Sequence, residues 1–333
     1  LSFAVGVYMY RPCSSIAEMT LLDQMASAYE AWMPHHLREW YTADERRELA
    51  VQEMRPQAEH TANAEFGAGF RDHLQPLGGP DVPDPLAWAN RRVEFADGHW
   101  CIAGIRFQGL NARKPFVHVV ATSVPPQHDR LGTYATQLHR EFADFGPLAI
   151  RFELPNPPED ADIDQWIIAG LVSELRRKPR RPQHERVRLT PAGPSEMAPY
   201  ADEVLGNVAR QRPEVRTWTE AATLEQLQSC AGTGALCAIE VDGQRAGIIA
   251  AARDDANGMR GFQVYEFLLD DNARGRGLAP VAMQLLCDVL PAQTGDTLWG
   301  TVHVGNGPSI GNALAVGREK TAAFVWVQRR GEL

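Results

Sequence analysis

The stretch that decides the fold is residues 266–280, which read EFLLDDNARGRGLAP. Its apolar start is typical of a β-strand, its centre is typical of a turn, and a helical pattern follows at once over residues 281–290. Between strand and helix lies a basic, glycine-rich loop at residues 274–279. Glycine lets a backbone approach a ligand closely, and the first N–H groups of a helix lack intrahelical acceptors and carry partial positive charge. The sequence therefore predicts a loop that binds an anion such as a phosphate.

Length and composition set the limits of the fold and the class of partner. The chain has 333 residues, of which 44% are hydrophobic, and this is enough for two domains that each bury a core. The formal net charge of −9 disfavours a nucleic-acid partner and favours a cationic or amine substrate. Five dispersed cysteines without a CxxC pair are typical of reduced thiols, so we expect a cytoplasmic protein. No stretch approaches the roughly 20 apolar residues of a membrane helix, so we expect no membrane contact.

The sequence also repeats one α/β unit. Matching positions recur at nearly constant spacing: Asp97 and Asp242 are 145 residues apart, as are Gly132 and Gly277, and Asn156 and Asn306 are 150 apart. The two aspartates begin Asp-Gly pairs between apolar runs, which predict hairpins with type I′ turns. The two glycines are each predicted at a strand-to-helix turn. Two copies of one unit explain the spacing, although two unrelated halves with similar turns would also produce it.

The two copies differ where an anion would bind. The first copy has DRLGTY at residues 129–134, which replaces an arginine by a carboxylate and ends on the bulky Tyr134. Ala121 stands where the second copy has Glu266. A loop of this kind would repel and crowd a phosphate. We therefore expect the second copy to bind the anion and the first to be degenerate, with a structural or substrate-shaping role.

The remaining patterns divide the chain. We predict two domains, at residues 1–175 and 185–333, joined by a basic linker at residues 176–184 that lies in solvent because proline and charge dominate it. Other predicted elements are a strand at residues 1–10, an insertion or lid of uncertain order at 56–90, and a helix at 163–175.

The residues around the loop resemble a known family. Arg274-x-x-Gly277-x-Ala279, between an apolar strand and a helix, resembles the pyrophosphate signature [Gln/Arg]-x-x-Gly-x-[Gly/Ala] of the GNAT superfamily of acyl-CoA N-acyltransferases. The succession of elements over residues 185–330 is similar to that fold as well, and the N-terminal half resembles it in layout. The resemblance implies an α/β (α+β) chain of two tandem GNAT-like domains, each with a mixed central sheet flanked by helices.

The resemblance also implies a ligand and the residues that hold it. Acetyl-CoA, or another acyl-CoA, would be the co-substrate, with no metal, and the acceptor would be an amine on a small molecule or a peptide. The backbone of Phe267, Leu268 and Leu269 would pair with the pantetheine arm as an added strand. The implied pyrophosphate ligands are the amides of Arg274, Gly275, Arg276, Gly277, Leu278 and Ala279. Asn306 would contact the pantetheine or the acyl group.

An amine must lose a proton before it attacks a thioester, so the site needs a base. Glu266 is the best candidate, because the family commonly places a glutamate on this strand and a half-buried carboxylate has a raised pKa. The alternatives for Glu266 are a solvent-facing position or a salt bridge to an arginine. His303 is a second candidate base. Alternation along the strand predicts that Tyr265 faces away from Glu266 unless a bulge intervenes.

One position departs from the family pattern. Many members carry a tyrosine in the short helix that protonates the departing thiolate, and here that position is Ala313. Ser309, Asn312 or water would then have to hydrogen-bond the thiolate, although Ser309 could instead be the N-cap of the helix.

Two other functions therefore stay open beside catalysis. The chain could be a non-catalytic acyl-CoA-binding sensor or scaffold, or an aminoacyl-tRNA-dependent transferase of similar layout. The basic loop counts against the second, since that reaction needs no CoA site. The sequence is compatible with a monomer or a homodimer.

Overall fold

The computed structural model describes residues 19–124 and 128–328, except for the side chains of residues 128 and 129. The strand predicted at residues 1–10 lies outside the described residues. No helix within the described ranges is long and apolar enough to cross a membrane.

The N-terminal half begins with helices and continues into strands. Helix α3 (Ala43–Glu59) starts at a capping box in which Thr42 and Glu45 satisfy each other's backbone N–H groups. The elements of this half are α1 (Leu21–Trp32), α2 (His35–Trp40), α3 (Ala43–Glu59), α4 (Ala64–Leu74), α5 (Pro85–Trp88), β1 (Arg91–Glu94), β2 (Trp100–Phe107), β3 (Pro115–Thr122), α6 (His128–Glu141), β4 (Ala149–Leu154), β5 (Asp162–Leu171) and α7 (Val172–Arg177).

The C-terminal half follows the order of elements that the family resemblance implies. A first strand, a helical pair, a hairpin, a long strand, a helix, a strand, a short helix and a last strand come in succession. They are β6 (Val187–Pro191), α8 (Pro194–Gln211), α9 (Leu224–Thr233), β7 (Ala235–Val241), β8 (Gln244–Arg253), β9 (Gly261–Leu269), α10 (Ala279–Val289), β10 (Thr297–His303), α11 (Gly307–Ala315) and β11 (Glu319–Gln328).

The eleven strands of the described residues form one mixed sheet, which confirms the predicted fold class. The strand order is β1-β2-β3-β4-β11-β5-β10-β9-β8-β7-β6. Neighbours are antiparallel except for two parallel pairs, β3 with β4 and β9 with β10. The two parallel pairs lie at equivalent places on either side of the central β11–β5 pair. The repeat inferred from residue spacing therefore corresponds to a repeat in the sheet.

The two halves exchange strands at the centre of the sheet. Strand β11, from the end of the chain, pairs with β4 through Ala323↔Leu154 and also pairs with β5. Strand β5, from the N-terminal half, pairs with β10 from Thr297↔Leu171 to His303↔Gln165. The hydrogen-bonded sheet therefore does not divide at the predicted boundary between residues 175 and 185, because each half is completed by a strand of the other.

Helices cover both faces of the sheet. Ile248 and Ile249 are adjacent on β8 and point to opposite faces, where Ile248 packs with α9 and Ile249 packs with α10. Leu298 and Trp299 are likewise adjacent on β10, where Leu298 packs with α10 and Trp299 packs with helices α1 to α3. Helices α1 to α3 and α8 to α9 therefore share one face, while α10 covers the other.

Two predicted segments differ in the structure. Most of the helix predicted at residues 163–175 is strand β5, because its apolar run WIIAGL at residues 166–171 belongs to a central strand between two others, and such a run has no helical or strand period of its own. The predicted solvent linker at residues 176–184 is exposed at most of its positions, and it also contacts the protein at a few points. Arg176 lies in the last turn of α7, and its Nε donates to the Cys287 carbonyl at 2.7 Å. The Pro179 carbonyl accepts from Gln284 Nε2 at 3.0 Å.

The structure adds detail to two further predictions, the order of residues 56–90 and the type of the two Asp-Gly turns. Residues 56–90, predicted to have uncertain order, form the end of α3 together with α4 and α5, and Trp88 is fully buried with its Nε1–H bonded to the Val82 carbonyl at 2.9 Å. Asp242 and Gly243 have φ of 52° and 80°, as a type I′ turn requires. The turn at residues 97–98 is different, since only Gly98 has a positive φ there.

Candidate functional site

The parallel strands β9 and β10 separate after a short paired region. They pair only from Thr297↔Gly261 to Trp299↔Gln263, although β9 continues to Leu269 and β10 to His303. Within the described part of the chain, the facing edges beyond these pairs have no strand partner. The result is a V-shaped gap with unpaired backbone along β9, and an extended ligand can fill such an edge as an added strand. Phe267, Leu268 and Leu269, the predicted pantetheine contacts, lie along this edge.

The glycine-rich loop lies at the end of β9, at the start of α10. Gly275 and Gly277 have φ of 71° and 72°, in the left-handed region that favours glycine. No side chain caps the helix at Leu278. Within the described residues, the N–H groups of Gly275, Arg276, Gly277, Leu278 and Ala279 have no hydrogen-bond acceptor. Five free amides at a helix N-terminus can bind an anion, so the geometry of the loop suits the role that the sequence predicts.

The two arginines of the loop have different positions. Arg274 turns inward, donates from Nε to the Leu269 carbonyl at 2.7 Å and pairs with Asp271. Arg276 is exposed and reaches only the Asn272 carbonyl, at 3.2 Å. The Arg274 side chain therefore stabilises the loop, and the Arg276 side chain remains at its surface with the amides.

The first copy has no such loop. Helix α6 already begins at His128, so the residues that correspond to the loop are helical. Gly132 lies inside α6 and not at the predicted turn, and its carbonyl accepts from Thr136 Oγ1 at 2.8 Å. The buried Tyr134 donates from its hydroxyl to Asp97 at 2.6 Å. A helix with a buried tyrosine thus stands where the second copy has free amides.

A β-bulge places Glu266. Ala250 pairs with Glu266 and Ala251 pairs with Val264, so Tyr265 is an extra residue on β9. Tyr265 packs in the same cluster as Ala250, on the face covered by α8 and α9. Because Glu266 pairs with Ala250, it lies on that face too. The bulge is the exception to strand alternation that the sequence analysis allowed, and it puts Tyr265 and Glu266 on one face.

Glu266 is enclosed and held by backbone donors. Its residue surface is 8% exposed, and it accepts from the Ala222 N–H at 2.9 Å and from the Phe267 N–H at 3.0 Å. It neither faces solvent nor forms a salt bridge with a described residue, so both alternatives weighed from the sequence are wrong. Burial raises the pKa of Glu266 to about 7, against the opposing effect of the two hydrogen bonds. A carboxyl group that titrates near neutral pH is suited to act as a base.

His303 lies on the other arm of the gap. On β10 it alternates in phase with Trp299, so it shares the sheet face of Glu266. Trp218 stacks on its ring with centroids 4.9 Å apart and planes 7° apart. The Gly305 N–H donates to His303 Nδ1 at 3.1 Å, so a neutral ring carries its proton on Nε2. No sequence motif pointed to Trp218, which comes from the loop between α8 and α9.

Helix α11 carries three of the predicted polar residues. Asn306 is its N-cap and accepts from the Ser309 N–H at 3.4 Å, so Ser309 is not the cap. Asn312 is 8% exposed, and its Oδ1 has no hydrogen-bond partner among the described residues. Ala313 is fully buried in place of the family's tyrosine. An orphaned carbonyl such as that of Asn312 can accept from an N–H of a ligand.

Residues of the linker also approach the glycine-rich loop. Gln183 Nε2 lies 3.9 Å from the position that a Cβ atom on Gly277 would take. Gln183 Oε1 and His184 Nε2 are buried without a partner among the described residues. The sequence did not predict these contacts, because the segment was assigned to solvent on its composition.

Comparisons with known proteins concern the fold alone. No protein-family model matches the sequence, and no curated protein matches it. A GCN5-related N-acetyltransferase from Kribbella flavida has a TM-score of 0.43 and 15% identity over 80% of this chain and 95% of its own. One from Sphaerobacter thermophilus has a TM-score of 0.44 and 15% identity over 83% and 95%. A tandem GNAT protein from the clavulanic acid biosynthesis pathway has a TM-score of 0.40 and 14% identity over 82% and 98%.

This chain is thus similar over most of its length to solved GNAT acetyltransferases. The TM-scores are below 0.5, so the strand order and register of this chain define its fold without reference to these structures. The candidate site is likewise defined by the contacts within this chain.

Proposed function

We propose that this protein is an acyl-CoA-dependent N-acyltransferase of the GNAT type, which transfers an acetyl group from acetyl-CoA to an amine. The observation that carries the proposal is the combination of five free amides at the start of α10 with the open edges of β9 and β10. Helix α10 covers one face of the sheet, and Glu266 lies on the other. Donor and acceptor can therefore approach the gap from opposite faces.

The residues present fit an acyl-CoA. The amides of residues 275–279 would hold the pyrophosphate, with Arg276 adding positive charge. The free edge of β9 would pair with the pantetheine arm, and the orphaned Oδ1 of Asn312 would accept one of its N–H groups. When bound, acetyl-CoA supplies the activated thioester carbonyl. The acetyl group, the domain division and the monomeric or homodimeric state are parts of the proposal, as is a cytoplasmic location.

Glu266 acts as the base in this proposal. Its carboxylate takes the proton of the acceptor ammonium, directly or through one water, and frees the nitrogen lone pair for attack. The hydrogen bonds from Ala222 and Phe267 hold the carboxylate in place. On the β10 arm, His303 Nδ1 already accepts from the Gly305 N–H, so the ring would serve as the alternative base only if that hydrogen bond broke. Trp218 fixes the ring.

Because Ala313 replaces the tyrosine that many family members use, other groups would have to hydrogen-bond the departing thiolate. The candidates are the Ser309 hydroxyl, the Asn312 amide and the His303 Nε2–H. A hydroxyl is a weak acid, so Ser309 would stabilise the thiolate by a hydrogen bond more readily than by giving up its proton.

The test is thiol release from acetyl-CoA, without RNA, with a panel of amines that includes polyamines, amino acids and short peptides. We expect release that depends on one amine class and matches the amount of acetylated product found by mass spectrometry. Calorimetric binding of acetyl-CoA without release for any amine would favour the sensor function. Acyl transfer that requires an aminoacyl-tRNA would favour the RNA-dependent function. Longer acyl-CoAs in the same assay would measure the size of the acyl pocket.

A further inference from the structure

The N-terminal half has a V-shaped gap of its own. Strands β3 and β4 pair only from Phe116↔Ala149 to His118↔Arg151 and then separate. Strands β4 and β10 run in opposite directions, because three antiparallel pairings connect them through β11 and β5. The two gaps therefore open at opposite ends of the sheet. A ligand in the first gap is spatially separate from the proposed acyl-transfer site.

A cavity of about 50 Å³ fills the first gap. Its wall comes from α1, β3, β4 and α6 and is mainly apolar. The wall includes Tyr29, Trp32, Ala121, Leu131, Phe152 and Glu153. A space of this size accommodates a small organic molecule or a few waters, and its walls favour a carbon chain.

Glu153 is the carboxylate on this wall, and the residue is half-buried. No salt bridge joins it to a described residue. Arg151, on the same strand, is committed elsewhere, with a salt bridge of 2.8 Å to Asp164 and its guanidinium 3.9 Å above the ring of Phe324. The other ionisable groups nearby are Tyr29 on α1 and Glu53 on α3, and neither supplies positive charge.

The surroundings make an ionised Glu153 costly. Burial and the neighbouring Glu53 raise the pKa of Glu153 to about 7, while Arg151 opposes the shift. Glu153 is half-buried at the cavity wall, and a partly desolvated carboxylate is stabilised by a positively charged partner. Here the unpaired group faces a cavity, so a ligand can supply the missing positive charge.

The internal repeat also assigns Glu153 a counterpart in the second copy. At the spacing of 150 that relates Asn156 to Asn306, Glu153 corresponds to His303. The first copy thus lacks the anion cradle but keeps an ionisable side chain at the position that borders the gap in the second copy. An anionic ligand does not fit a site with a carboxylate and no cradle, whereas a cation does.

We propose that this cavity is a second ligand site, which binds a small primary amine with an apolar body. The ammonium pairs with Glu153, and the carbon chain packs on Ala121, Leu131 and Phe152. The rings of Tyr29 and Trp32 add favourable surface for a cation. This site is independent of acyl transfer and holds whether or not the C-terminal half is catalytic.

The test uses thermal unfolding of the full chain at pH 8 without acetyl-CoA, with n-butylamine, n-butanol and butyrate as matched probes. At this pH Glu153 is ionised and the amine is protonated. We expect a saturable rise in Tm with n-butylamine and little response to the alcohol or the acid. Glu153→Gln is expected to abolish the response to the amine. Ala121→Leu, which fills the cavity and keeps the carboxylate, is expected to weaken binding at least tenfold.

Two results would overturn the proposal. One is an equal response of the wild type and Glu153→Gln to n-butylamine, or an equal response of the wild type to amine and alcohol. The other is a response that Glu266→Gln abolishes and Glu153→Gln retains, since the amine would then bind at the acyl-transfer site. Circular dichroism of each variant verifies that it is folded. The readout is binding, so failure of acyl transfer leaves this test unaffected.

Discussion

The backbone N–H of Ala222 donates a hydrogen bond of 2.9 Å to Oε2 of Glu266. Four residues earlier on the same loop, Trp218 stacks on His303. The loop between α8 and α9 therefore touches both arms of the gap between β9 and β10. It holds a carboxylate on one arm and an imidazole on the other, so it couples the position of the proposed base to that of the His303 ring.

Replacement of Glu266 by Gln tests the proposed base. We expect kcat to fall roughly 100- to 10,000-fold, the range for a general base, with little change in acetyl-CoA affinity. The base works when ionised, so wild-type kcat/KM should rise with pH to a plateau above about pH 7, where Glu266 titrates. The variant should lack this rise. Glu225→Gln, at an exposed position of α9, is the matched control. A variant with wild-type rates and an unchanged pH profile would remove Glu266 from the mechanism.

The same substitution should change the pH dependence of stability. The folded chain holds the Glu266 proton up to about pH 7 and the unfolded chain releases it near pH 4.5, so the unfolding free energy falls as pH rises between these values. One pKa unit corresponds to about 1.4 kcal/mol. Between pH 5 and pH 8 we expect Glu266→Gln to gain about 2 kcal/mol of stability relative to the wild type.

Urea unfolding at the two pH values measures this difference. Glu153 titrates in both proteins and cancels in the comparison. Parallel pH dependence of the two proteins would contradict the inferred burial of an ionisable Glu266.

Gly277→Ala tests the anion cradle. Alanine at a φ of 72° costs about 1 to 2 kcal/mol and changes the direction of the loop amides, so acetyl-CoA affinity should fall about tenfold or more. Gly243→Ala is a matched control, because Gly243 has a φ of 80° and open space around it but lies in a hairpin turn. Both variants should lose similar stability, and only Gly277→Ala should lose affinity in calorimetry. Equal affinities would argue against binding through the loop.

Separation of the halves tests the strand exchange. Fragments of residues 1–178 and 179–333, expressed together with a tag on the first only, should copurify, because β11 lies between β4 and β5 and β5 pairs with β10. Each fragment alone lacks a central strand and should be unfolded or aggregated. A monomeric fragment 179–333 with a native circular dichroism spectrum and full acetyl-CoA affinity would show that the exchange is not needed.

Local features of the site could be predicted from the sequence alone. The loop at residues 274–279, the turn at Asp242 and Gly243, and the strand that ends at Leu269 all follow from contiguous residues. Glycine at positive φ, a helix start without a capping side chain and an apolar run each act within a few residues. The degenerate first copy is predicted in the same way, from Tyr134 and from the carboxylate of Asp129 in place of an arginine.

Only the tertiary structure decided the features that depend on distant partners. The apolar run at residues 166–171 has no period that separates helix from strand, and pairing with β10 and β11 makes it a central strand. The bulge at Tyr265, which places Glu266 on the face of α9, is a property of the register with β8. The contact of Trp218 with His303 joins residues 85 positions apart. The sequence by itself thus determined the cradle for the anion, whereas strand pairing and packing determined which side chains face the gap beside it.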